Sequence, residues 1–350
     1  MQLQKNGENK AITIYDIAKE AGVSASTVSR VLTNSANVRP EKKEKIQALI
    51  EKYNFKPNAL AKGLADTKTR TIGVLAADIR NPYYASLFVA CEKAAREAGY
   101  TVVLYNSLGE TETEKQLLEK LQEQRVDAII QLGGRVDDLV SNEEYVELMN
   151  QVMVSIPVVV TGKLDGTRCS TVRIDAMMAM ELLMEHLLSL GHTEIALIGG
   201  RRDVFTTFEK HQKYKLLLKE NHIEYREEYV DEDSGYDFES GYRQMNKMLE
   251  KDILPTAIIA INDFSAIGIM KSLQEHHIRI PEDVSVVSYD NTYMSEMITP
   301  KLTSVDYNYE EFGRKLVDTA IQCIEGAKGG KVRMVTPTLV VRESSGPVRG

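Results

Sequence analysis

Residues 14–32 read IYDIAKEAGVSASTVSRVL, two short helical patterns separated by a glycine. Thr13 with Asp16 three residues on matches the capping-box pattern of a helix start, with Asp standing where Glu or Gln is usual. Ile14, Ile17, Ala18 and Ala21 then recur at helical spacing. Gly22 permits the turn that ends this helix, and Ser24 can cap the next through the backbone N–H of Thr27. The pattern predicts a helix-turn-helix. On its second helix Val23, Val28, Val31 and Leu32 can pack against the first, while Ser26, Thr27, Ser29 and Arg30 point elsewhere. In this motif the second helix enters the DNA major groove, where Arg pairs with guanine and small hydroxyls reach bases or phosphates. A helical hairpin with a merely wet polar face is the competing reading.

Outward from that stretch, charge is unevenly spread. Residues 1–70 hold 13 Lys and Arg against 7 Asp and Glu, whereas the remaining 280 hold 30 against 44, so the basic end is the nucleic-acid candidate. A polar loop from Thr33 to Asn37 precedes Pro40, a favourable first residue for a third helix, with Ile46, Leu49, Ile50 and Tyr53 as its buried stripe. Lys42, Lys43, Lys45 and Lys52 lie off that stripe, as a solvated face or as phosphate contacts. Residues 59–65, ALAKGLA, follow Pro57 and the capping candidate Asn58. So short a helix does not hold itself together in water, and its two leucines suit an apolar wedge for the minor groove or packing on their own domain. Residues 1–10 are expected to be a flexible tail. They lack an apolar h-region and no stretch is long and apolar enough for a membrane span, which points to a cytoplasmic protein with no membrane partner. Cys91, Cys169 and Cys323 are odd in number and widely spaced, and read as reduced thiols.

From Thr71 the period changes. Apolar runs alternate with amphipathic stretches of ten to eighteen residues, the signature of βα units and parallel sheets. Ten strand candidates, from TIGVLAA at 71–77 to LVVRES at 339–344, are too many for one compact sheet of this kind and predict two doubly wound lobes. No Walker A loop, HExxH, GxSxG or complete GxGxxG occurs, and the Gly-Gly pairs at 133–134 and 199–200 read as tight turns at strand ends. The histidines are scattered, and His276 and His277, as neighbours on a helix, do not share a face. These observations leave no constellation for an enzyme or a metal site, and no cofactor is expected.

The chain resembles the lactose-repressor and galactose-repressor family of bacterial transcription regulators. The resemblance rests on the opening stretch, on YNFKPNALAKGLA (53–65), TIGVLAADIRNPYYASL (71–87), SLGHTEIALIGG (189–200), PTAIIAINDFSAIGIM (255–270), VSVVSYDNTYMSEMITPKLTSV (284–305) and LVVRESSG (339–346). It implies an α/β two-lobed periplasmic-binding-protein-like body, with two doubly wound parallel sheets, behind an N-terminal all-α helix-turn-helix domain. The implied domains are 11–57 for DNA binding, 58–70 for hinge helix and linker, and 71–346 for the body. Lobe one would take 71–172 and 304–335, lobe two 173–303 and 336–346. The implied partners are an operator in double-stranded DNA, a second copy of the chain, and a small-molecule effector, a sugar or glycoside. Thr13, Tyr15, Ala25, Ser26, Thr27, Ser29, Arg30, Asn34, Asn37, Asn58 and Leu64 would contact DNA, Leu64 as the wedge. Tyr83, Tyr84, Lys163, Phe208, Tyr236, Asn262, Asp290 and Tyr307 would line the effector site, with Asp263, beside Asn262, either at the same strand end or only a cap for the helix beginning at Phe264. Two departures stand out. Phe208 takes the place where an Arg clamps vicinal hydroxyls, and Gly162-Lys163 takes a place where Asp is common. The first predicts a ring-shaped ligand held by aromatic stacking. A regulator controlled chiefly by a protein partner, like the catabolite control proteins of the same family, is the alternative, and an enzyme a remote one.

Overall fold

The computed structural model describes residues 12–33, 38–55, 68–231 and 233–348. The tail, Asn34, Asn37, Asn58, Leu64 and the expected hinge helix at 59–65 lie outside the described residues. The chain divides into two compact units, one up to Thr69 and one from Arg70.

The first unit holds helices α1 (Ile14–Ala21), α2 (Ala25–Thr33) and α3 (Pro40–Lys52). The capping box forms: Asp16 N donates to Thr13 Oγ1 at 3.3 Å and Thr13 N to Asp16 Oδ2 at 2.8 Å. Gly22 ends α1 in the left-handed region at φ 70°, open to glycine without strain. Ser24 Oγ then accepts from Thr27 N at 3.3 Å, so two helix starts and one turn are fixed by residues adjacent in sequence. Ile17, Val28 and Ile46, one from each helix, are fully buried together. Lys52 and Tyr53 lock α3 to α1 through Glu20 at 2.9 and 2.8 Å, which removes Lys52 from the candidate phosphate contacts.

The second unit contains two six-stranded sheets. Strands β1 (Thr71–Ala76), β2 (Thr101–Asn106), β3 (Ala128–Leu132), β4 (Val158–Val160), β5 (Ser170–Ile174) and β13 (Val332–Val335) form the first, ordered β13-β5-β4-β3-β1-β2 and parallel throughout. The second is ordered β14-β12-β11-β10-β6-β8, from β6 (Ile195–Ile198), β8 (Val230–Asp231), β10 (Ala257–Ala260), β11 (Ser285–Asp290), β12 (Thr303–Asp306) and β14 (Thr338–Val340). Only β14 runs antiparallel there. β7 (Gly200–Arg201) and β9 (Asp233–Gly235) pair apart. Continuous apolar runs such as AIIQL in β3 and AIIA in β10 are buried at every position, as parallel strands covered on both faces require. Each sheet has a core on each side, four in the unit.

The chain passes between lobes after β5, after β12 and after β13. The expected breaks at 172/173 and 303/304 therefore cut through β5 and β12. β12 pairs with β11, and lobe one resumes only with the helix Tyr309–Ile324, whose Phe312 and Leu316 join its core. A strand has no intrinsic allegiance to a lobe. Hydrogen-bonding to its neighbour decides it, and the sequence pattern does not carry that information.

Candidate functional site

On the helix-turn-helix, Tyr15 is 73% exposed, and Thr13, Ser26 and Arg30 are exposed too. Ala25, Thr27 and Ser29 are half-buried. Three of the predicted hydroxyls are engaged locally. Thr13 Oγ1 donates to Asp16 Oδ2 at 2.6 Å, and the Ser24 hydroxyl pairs with those of Ser26 at 2.8 Å and Thr27 at 2.9 Å. α2 thus presents the Arg30 guanidinium beside small hydroxyl side chains, and α1 adds the Tyr15 phenol, groups that a groove admits.

In the body, a cavity of about 590 Å³ lies between the two sheets. Its walls come from the carboxyl ends of strands in both lobes: Ala77 and Asp78 after β1, Gly134–Asp138 after β3, Ile261 and Asn262 after β10, Asp290 ending β11 and Tyr307 after β12. This is where doubly wound sheets place ligands, because backbone amides and loops converge there. Tyr83, Tyr84, Tyr236, Asn262, Asp290 and Tyr307 all line it; Lys163 and Phe208 do not.

The tyrosines are set by the start of the helix Pro82–Glu97. Asn81 Oδ1 accepts from Tyr83 N at 3.0 Å and Pro82 occupies the first turn. Tyr83 then packs edge-on against Tyr84 (4.9 Å between centroids) and Tyr307 (6.1 Å). Burial pushes all three phenols well above their ordinary range. Tyr236 shares its hydroxyl with Thr207 at 2.7 Å, and its carbonyl accepts from Asn262 Nδ2 at 3.0 Å. Asn262 Oδ1 accepts from Ser265 N at 2.9 Å, so Asn262, and not Asp263, caps the helix Asp263–Glu275. Asp263 is buried as a structural anchor. It accepts from the hydroxyls of Ser288 and Ser304 at 2.5 and 2.7 Å and from Thr292 N at 2.6 Å, tying the end of β11 to β12. That anchoring holds Asp290 at φ 96°, a conformation L residues rarely adopt. Asp290 is 6% exposed, and its carboxyl is held above the usual range by burial and by Asp263, against the pull of Lys210.

Lys210 escaped the sequence reading. It sits on the helix Phe205–Glu220, lines the cavity, donates to Ile261 O at 3.2 Å and lies 3.7 Å from the centroid of the Tyr289 ring. Burial lowers its ammonium's proton affinity. Phe208, expected there, is 42% exposed. Successive residues on a helix are 100° apart, so Phe208 points about 200° away from both Thr206 and Lys210, which face the cavity. Counting from the Gly-Gly pair could not fix that phase. Lys163 turns to Asp165 at 2.9 Å and over the Phe205 ring at 4.7 Å. Gly162 before it has a reason of its own: a Cβ would lie 2.0 Å from Val136 O and 2.5 Å from Asp137 Oδ1, so glycine lets the turn after β3 close on β4. That turn brings Asp137 to the cavity, where Tyr84 donates to it; burial and then Glu114 and Asp138 push its carboxyl up to about 7. The Gly-Gly pairs do have positive φ throughout, as tight turns require.

The lobes also touch at the rim. Leu139 N donates to Asp203 O at 2.7 Å, Asp138 bridges to Val204, and Arg173 meets Glu209 at 3.0 Å. Phe205 lies between the cations of Lys163 and Arg173.

Among the described residues, no helix is long and apolar enough to cross a membrane and no cluster of residues could hold a metal ion. Residues 13–58 match the family described as bacterial regulatory proteins, lacI family, and residues 184–345 match a periplasmic binding protein-like domain. The chain is 36% identical to catabolite control protein A of Priestia megaterium over 84% of its own length and 87% of the relative's, and equally so to that of Staphylococcus epidermidis. Among solved structures, a lac repressor dimer bound to operator and the anti-inducer ONPF superposes with a TM-score of 0.84 at 27% identity, covering 96% of this chain and all of that one. A lacI-family regulator of Enterococcus faecium with bound ribose gives 0.70 at 26% identity, covering 80% of this chain and all of that one. With its helix-turn-helix, its two-lobed body and these relatives, the chain belongs to the lacI family of bacterial regulatory proteins, DNA-binding transcription regulators.

Proposed function

We propose that this regulator is a cytoplasmic repressor that binds a near-palindromic operator as a homodimer and is controlled by a small molecule in the interlobe cavity. The observation that carries the effector reading is the cavity itself. It is about 590 Å³, walled by both lobes and lined by a tyrosine cluster together with polar and charged side chains at strand ends, which can bury a ring and fix its orientation. Tyr83, Tyr84, Tyr236, Asn262, Asp290 and Tyr307 are the ligand residues proposed, with Lys210 and Asp137 added. Tyr15, Ser26 and Arg30 are the proposed base- and phosphate-reading set, with Thr13, Ala25, Thr27, Ser29, Asn34, Asn37, Asn58 and Leu64 beside them. The lac repressor structure supports the arrangement, since it is a dimer on its operator with a ligand bound. A ligand shifts DNA binding only by its differential affinity for two lobe arrangements, and rim contacts between lobes supply a way to distinguish them.

Control by a protein partner is the second reading, favoured by the 36% identity to proteins named catabolite control protein A. The relatives are regulators, so no enzymatic role is proposed. Thermal shift against sugars and related ring compounds separates the two. A ligand of the native state raises the melting temperature by mass action and should alter operator binding in the same concentration range. A flat response to every small molecule, with operator affinity raised by a protein fraction, would favour the second reading.

A further inference from the structure

Taking the cavity as the effector site, we propose that the effector carries a positively charged amino group, held between Asp137 of lobe one and Asp290 of lobe two against the tyrosine cluster.

The charges around the cavity point this way. Its four arginines are each committed to a carboxylate: Arg80 to Asp78 at 2.7 Å, Arg135 to Asp138 at 3.1 Å, Arg173 to Glu209 at 3.0 Å and Arg201 to Asp203 at 2.5 Å. The ammonium of Lys210 donates to Ile261 O and lies over the Tyr289 ring; Asp290 feels its charge but makes no salt bridge with it. Four of the lining carboxylates have no salt bridge among the described residues; Asp237 and Glu239 are exposed to solvent, Asp237 capping a helix through Ser240 N, which leaves Asp137 and Asp290, on opposite lobes, as the two set among the tyrosines. Asp290 is more than nine-tenths buried, lines the cavity, and accepts no hydrogen bond from any described residue. Asp137 has the Tyr84 hydroxyl but otherwise faces the acidic neighbours Glu114 and Asp138. A buried carboxylate without a partner is costly, and an arriving cation with N–H donors offsets that cost where a neutral hydroxyl only partly does.

The two carboxylates share one aromatic cluster. The phenols of Tyr83 and Tyr84 both feel the charge of Asp137 and of Asp290, Tyr84 donates to Asp137, and both rings and both acids line the same cavity. Tyrosine faces beside carboxylates are cation chemistry, because ring quadrupoles attract an ammonium that the acids neutralise. An anionic effector would meet the same acids with every guanidinium already paired. The cavity volume has room for a sugar-sized ring, so an amino sugar is a class that fits.

The test is calorimetry on the full chain with glucosamine, galactosamine and mannosamine, each beside its parent hexose and its N-acetyl form, which keeps the shape and loses the charge. At least one amino sugar should bind about tenfold or more tighter than both neutral partners. Asp137→Asn and Asp290→Asn, each checked by melting to be folded, should both erase that preference. At pH 6 the bound amine should also expel protons from Asp137 and Asp290, so the measured heat should vary with the ionisation enthalpy of the buffer. Neutral sugars binding as well as the amino sugars, or a preference that survives both substitutions, would overturn the charge inference and leave the effector site standing. Silence from amines and neutral sugars alike would overturn both.

Discussion

Asp137 holds its proton up to about pH 7 because the turn after β3 buries it beside Glu114 and Asp138. Its folded-state pKa lies above the ordinary value, so the native state binds a proton that the unfolded chain has released. Its contribution to stability is therefore full below about pH 4, falls as pH rises, and is lost above about pH 7. Asp137→Asn removes that dependence. The melting temperature of the variant body should gain on the parent between pH 5 and 7, and the gap should stay constant above pH 8. A gap independent of pH would show that Asp137 does not titrate in this window. Arg30, exposed on α2, makes the other prediction at this scale. Arg30→Ala should cost about 1–3 kcal/mol of operator affinity and relax one base position if the side chain reads a base. A uniform loss across sequences in a binding-site selection would assign it to phosphate.

The capping box of α1 is the element on which the DNA-binding unit turns. With Thr13 replaced by Ala, the Asp16 amide keeps the Thr13 carbonyl but loses the hydroxyl acceptor, the Asp16 carboxylate loses the hydroxyl donor, and the helix start costs about 1 kcal/mol. Hydrogen exchange of the full chain should show amides of α1 to α3 opening faster, with the body's sheets unchanged; unaltered exchange in α1 would mean that the tertiary core alone sets the helix start. The helix Phe205–Glu220 carries a second element-scale prediction. Its first residue sits between the cations of Lys163 and Arg173 from lobe one. Each such contact contributes about 0.5–2 kcal/mol. Phe205→Ala should weaken lobe closure, and effector affinity should fall with the closed population. Calorimetry giving the parent's affinity would show that the rim contact does not bias closure.

At the scale of the molecule, one helix-turn-helix per chain binds half a site, and symmetry supplies the other half. Footprinting should show two equal half-sites, and shifting their spacing by half a helical turn should abolish tight binding. Full affinity for a single half-site would rule out the dimeric reading. The proposed wedge belongs here too, since it acts where two copies meet at the centre of the operator. Leu64→Ala should weaken specific binding far more than non-specific binding, because only the kinked site repays unstacking. Equal losses on both DNAs would count against it.

The sequence by itself determined the features that neighbours in the chain decide. Thr13, Asp16, Gly22 and Ser24 act within three or four residues of one another, so cap, turn and second helix could be read directly and appear as read. Runs such as AIIQL and AIIA announced doubly buried strands, and two lobes followed from their number. The tyrosines after Asn81-Pro82 were legible because that pair fixes the helix start locally. Only the tertiary structure decided which turn of a helix faces the cleft and which lobe claims a strand. The first put Lys210 where Phe208 was expected, and the second gave β12 to lobe two. β13, with alternate residues exposed, carries too weak a pattern to announce itself and exists because β5 pairs with it. Asp137 reached the cavity through a glycine twenty-five residues away in β4's exit, and Asp263 became an anchor because two strands bring it hydroxyls. Local periodicity fixes what kind of element forms. The partner across a cleft or a sheet fixes which face it shows, and that partner is distant in sequence.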